Sequence, residues 1–140
     1  MTVVDWPNYI SHFTNLRHLA FANLFLIGWC KWDAEDESPF AWVNRAIVAL
    51  RSPITHLTIE VLIRQPAELD AVNWKGIDVL TSTRETLPSL VQVSVVFLSG
   101  VAYKKWDPKK SIADPVAIRR LMPLTSMKGL LTVSTRGPKM

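Results

Sequence analysis

Few side chains in this sequence have the type and spacing that chemistry needs. The three histidines, His12, His18 and His56, have no Asp, Glu or Cys at metal-ligand spacing, and neither H-E-x-x-H nor C-x-x-C occurs. His56 precedes Leu57 in a strand-like stretch and alternates away from the apolar positions, and His18 holds the matching place one unit earlier. Both read as surface or half-buried histidines. Asp33, Glu35, Asp36 and Glu37 form an acidic run. Glycosidase chemistry needs two carboxylates facing each other across a cleft, and adjacent carboxylates repel without providing that. No G-x-S-x-G or Walker-type stretch is present. Cys30, the one cysteine, sits in an apolar run where a thiol behaves as a small hydrophobe. No catalytic residue, metal site or cofactor is expected.

Binding is the better prospect. The stretch YKKWDPKK brackets Trp106 with Lys104, Lys105, Lys109 and Lys110. Basic and aromatic residues together can hold phosphates and stack on bases, and they can equally meet an acidic protein. Charge is uneven along the chain. Residues 1–38 carry two basic and five acidic residues, whereas 104–140 carry nine and two, within a net charge of +4. An acidic first third disfavours nucleic acid, because it repels phosphates. Trp29 and Trp32 flank the acidic run, and exposed tryptophan anchors protein interfaces. The candidate partner-binding residues are therefore Trp29, Trp32, Lys104, Lys105, Trp106, Lys109 and Lys110.

The elements that must carry these residues follow from a repeat. LRHLAFA from Leu16, ITHLTIE from Ile54, LVQVSVV from Leu90 and MKGLLTV from Met127 line up at offsets of 38, 36 and 37 residues. Each shows the period-two alternation of a half-buried strand. The fourth has Thr132 where an apolar residue is due, with Val133 available instead. A helix-like stretch precedes each strand, over 5–13, 38–50, 73–82 and 114–124. Ser38 and Asp114 are suited to N-caps, and Pro39 and Pro115 to first helical positions. The inward stripes are Trp42, Val43, Ala46, Ile47 and Leu50, then Trp74, Ile77 and Leu80, then Val116, Ile118, Leu121 and Met122. Trp42 and Trp74 hold equivalent places and read as core.

Helices alternating with strands predict a parallel sheet with right-handed crossovers. One unit cannot bury its own apolar face, so the units must stack. The expected architecture is a single α/β domain over residues 1–140, a curved solenoid of about four helix–strand units with all helices on one side. The rival is a small doubly wound α/β enzyme, which would reverse its strand order. In the solenoid, connections 29–37, 64–72 and 99–113 emerge together as a rim. The first strand is apolar with no earlier repeat beside it, so its open edge is expected to self-associate.

The longest apolar run, 19–30, is interrupted by Asn23 and ended by Lys31, short of the ~20 residues that span a bilayer. No secretory signal opens the chain. A cytoplasmic or nuclear protein is expected.

The stretch PITHLTIEVLIRQPAELDAVNWKGIDVLTSTRETLPSLVQVSVVF resembles the C-terminal leucine-rich-repeat-like region of F-box proteins abundant in mushroom-forming fungi. The ending IRRLMPLTSMKGLLTV resembles that family's terminal repeat, and the likeness covers residues 4–135. It implies a right-handed α/β solenoid that recognises a protein for ubiquitination. No L-P-x-E-[IL]-[LI] opening of an F-box is present, and the chain begins inside a repeat. A fragment of a longer repeat protein is the expected explanation, and a Skp-type adaptor is an expected partner only if an F-box lies upstream.

Overall fold

The computed structural model describes residues 12–26, 40–63, 66–98 and 115–136. Among these residues the order is β1 (His18–Phe25), α1 (Ala41–Ala49), β2 (His56–Leu62), a short 3-10 helix (Pro66–Ala71), α2 (Trp74–Ser82), β3 (Gln92–Leu98), α3 (Pro115–Leu121), α4 (Pro123–Met127) and β4 (Leu131–Arg136). The four strands form one open parallel sheet in the order β1-β2-β3-β4. Chain order and spatial order coincide, with no reversal of the kind a doubly wound sheet requires.

Period-two alternation sorts each strand onto two faces. Leu57, Ile59 and Val61 of β2 and Val93, Val95 and Phe97 of β3 are buried in one core. Val43, Ala46 and Ile47 of α1, Trp74 and Ile77 of α2, and Ile118 of α3 belong to the same cluster. The helices described thus cover one face of the sheet. Register fixes a row across it: Leu19, Leu57, Val93 and Leu131 lie side by side.

That row corrects the fourth repeat by one residue. Leu131 and Val133, rather than Leu130 and Thr132, stand beside Val93 and Val95. Met127, the first residue of the aligned segment, is 85 % exposed. The cause is the end of α4. Gly129 takes a left-handed φ of 72°, its N–H reaches Ser126 O at 3.0 Å, and Leu130 N reaches Thr125 O at 3.2 Å. This paired C-cap adds a residue before the strand begins, and its left-handed position suits glycine.

The stretch 114–124 also departs from expectation. It is two helices broken at Met122, whose φ of −127° and ψ of 59° are non-helical. Proline disfavours helical geometry in the residue before it and lacks an N–H of its own. Pro123 therefore ends one helix and opens the next. Ile118 and Met122 reach the core, whereas Val116 is 50 % exposed. The first expected helix, 5–13, lies outside the described residues apart from His12 and Phe13, and the proposed caps Ser38 and Asp114 lie outside them too.

Connection 64–72 is not a solvated loop. Its 3-10 helix buries Glu68, Leu69 and Ala71, with Val72 after it. Trp74 Nε1 donates to Leu69 O at 2.7 Å, tying this turn to α2. Next to it, units two and three meet at a close approach. Asn73 caps α2 by accepting from Gly76 N at 3.0 Å, and Asn44 Nδ2 of α1 donates to Asn73 O at 3.3 Å. A Cβ on Gly76 would lie 2.6 Å from Asn44 Nδ2 and 2.8 Å from Asn73 Nδ2. Gly76→Ala should displace both amides and lower stability by about 1 kcal/mol, the usual loss of an N-cap. An unchanged urea midpoint would show that the two amides move aside freely.

Candidate functional site

The other face of the sheet is where polar side chains gather. Among the described residues its members are half-exposed or exposed apart from Leu62 and Val96. Strand register arranges them in rows: His18, His56 and Gln92, then Ala20, Thr58, Ser94 and Thr132, then Glu60, Val96 and Ser134. Parallel pairing without slippage over β2–β4 turns a repeated sequence position into such a row.

The first row has defined geometry. The His18 and His56 rings stack with centroids 4.4 Å apart and planes within 6°. Thr55 Oγ1 donates to Arg17 O at 3.1 Å and lies 2.9 Å from His56 Nδ1. A hydroxyl has one proton. With that proton on Arg17 O, His56 Nδ1 is the donor to Thr55. Gln92 Nε2 donates to Ser94 Oγ at 3.0 Å and to Thr132 Oγ1 at 3.4 Å, linking the second row across two strands. The result is a surface of imidazole, amide and hydroxyl groups. Such a surface can exchange hydrogen bonds with a protein laid across it. Among the described residues no group of three His, Cys, Asp or Glu is placed to hold a metal ion.

On the helical side a groove of about 590 Å³ runs between α2 and the α3–α4 pair, lined by Asn73, Lys75, Val79, Arg120 and Leu124 among others. Asp78 stands at this groove and is occupied. Its Oδ2 accepts from Leu124 N at 3.0 Å and its Oδ1 from Thr125 N at 2.8 Å. Thr81 Oγ1 and Thr125 Oγ1 are 2.7 Å apart beneath it, and Lys128 Nζ donates to Ser82 O at the far end of α2. The arrangement is a joint between units three and four.

The seven predicted partner-binding residues, Trp29, Trp32, Lys104, Lys105, Trp106, Lys109 and Lys110, all lie outside the described residues, as do Cys30 and the acidic run. The tryptophans read as core are placed. Trp74 is buried, and Trp42 is half-buried with its ring edge-on to Phe21 at 5.8 Å. The imidazole stack adds something sequence reading had not drawn, although the signal was present: two histidines at one repeat position become neighbours once the strands pair in register. Among the described residues no helix is long and apolar enough to cross a membrane. No protein-family model, curated protein or solved structure matches this chain.

Proposed function

We propose that this chain is a non-enzymatic protein-interaction domain, an α/β leucine-rich-repeat-like solenoid whose polar sheet face holds a protein partner. The observation that carries the reading is the division of the sheet. One face is sealed by helices, while the other presents aligned rows of His, Gln, Thr and Ser that spend few hydrogen bonds on the core. Row residues recur at offsets of 38, 36 and 38, as stacked copies of one unit require. The fungal F-box resemblance adds a role as the substrate-recognition part of a ubiquitin ligase in the cytoplasm or nucleus. Contact with a Skp-type adaptor then requires an F-box upstream.

Two sets of variants separate the face from the rim. Thr58→Arg with Ser94→Arg places bulk and charge in the middle of the half-exposed face, away from the core. Partner capture should be lost while the urea midpoint stays within about 0.5 kcal/mol of the parent. Trp32→Ala with Trp106→Ala tests the connections instead. If the arginine variant captures every partner that the parent does and the tryptophan variant captures none, binding belongs to the rim and the face reading is wrong.

A further inference from the structure

We propose that the outer edge of β4 accepts an extended, acidic segment of another protein as an added strand. This inference concerns a different surface from the sheet face and does not depend on it.

The argument begins with backbone geometry. Val93 N donates to Leu130 O at 2.8 Å, and Val93 stands opposite Leu131. In a parallel ladder these two facts assign residues 130, 132 and 134 to the bonds with β3. The N–H and C=O groups of Leu131, Val133 and Thr135 then point away from the sheet. Among the described residues nothing pairs with them.

The two edges of the sheet differ. β1 carries a register shift between Phe21 and Leu24, a bulge of the kind that blunts edge pairing. β4 pairs with β3 without any shift, and its sequence LTVSTR holds no proline and no inward charge. Among the described residues the regular unpaired edge is therefore that of β4. Its inward residues Leu131 and Val133 are only half-buried, whereas their row neighbours Leu57, Ile59, Val93 and Val95 are at most 1 % exposed. One more strand would finish what the interior strands already have.

Charge selects the occupant. Residues 115–136 contain Arg119, Arg120, Lys128 and Arg136 and no acidic residue. Arg119 and Arg120 are exposed on α3, which packs on β4. Two copies joined through β4 would bring this basic unit against itself, and β4 joined to β1 would meet the bulge. An acidic strand with alternating apolar residues suits both the charge and the half-open core.

The probe is an acetylated Val-Glu-Val-Glu-Val-Glu-Val amide added to the full chain, with the Lys-for-Glu peptide beside it. The acidic peptide should bind, more weakly as salt rises, and the lysine peptide should not. Amide exchange at Leu131 and Val133 should slow on binding, while Thr132 and Ser134, already bonded to β3, should change little. Val133→Pro removes an outward N–H without touching the β3 ladder and should abolish binding with the fold kept. Arg119→Glu with Arg120→Glu should weaken it about tenfold. Absence of binding, binding without slowed exchange at Leu131 and Val133, or equal binding of both peptides would overturn the proposal. So would a concentration-dependent dimer that the Val133→Pro variant no longer forms, because the edge would then belong to a second copy.

Discussion

Leu57→Ala is expected to lower the free energy of unfolding by about 2–5 kcal/mol in urea, the range for a fully buried leucine truncated in a packed core. Leu57 is 1 % exposed and sits on β2 between Leu19 and Val93, so no solvent-facing side can collapse into the gap. Thr58→Ala, one residue on and facing the polar side, should change stability by no more than about 0.5 kcal/mol. The contrast between neighbours is the test. Equal effects at the two positions, or a loss below about 1 kcal/mol at Leu57, would mean that the strand does not have this register.

Asp78→Ala should be nearly as damaging, at about 3 kcal/mol. The carboxylate is 2 % exposed and accepts from the first backbone N–H groups of α4, one of them on Thr125, which is fully buried. A five-residue helix has no stability of its own, because nucleation outweighs so few hydrogen bonds. Removing its cap therefore loosens α4 as a whole, together with the turn that sets the start of β4. Asp78→Asn keeps one acceptor and should lose roughly half as much. Urea unfolding that leaves Asp78→Ala within about 1 kcal/mol of the parent would show that water caps α4 equally well.

Much of the fold was legible in the residues themselves. Alternation at period two located all four strands, and apolar stripes at helical spacing located α1 and α2, because both signals depend on near neighbours in the chain. Leu57, Ile59, Val93 and Val95 hold the alternating apolar positions of the aligned segments and are buried. What stayed hidden depends on contacts between distant residues. Asp78 looks like an ordinary helix carboxylate, and its partners lie 46 and 47 residues further on. Glu68, in the polar text PAELDA, gives no local sign that it is fully buried. The break at Met122 did have a local sign in Pro123, but a continuous apolar stripe outweighed it. The shift in the last repeat came from an extra turn residue, and only strand pairing reveals which of Leu130 and Leu131 faces inward. For the functional residues the limit was different. The loops chosen for their Trp and Lys lie outside the described residues, while the polar face was visible only as whatever the core left over.

The sheet is laid down in the order in which the chain is made. Each new strand finds its partner already waiting at the growing edge, and none has to be inserted between two strands that have already joined. During synthesis the protein can therefore assemble by addition at one end, with each unit docking on the one before it. Among the described residues β4 borders β3 alone, so the β1–β2 and β2–β3 pairings do not depend on it.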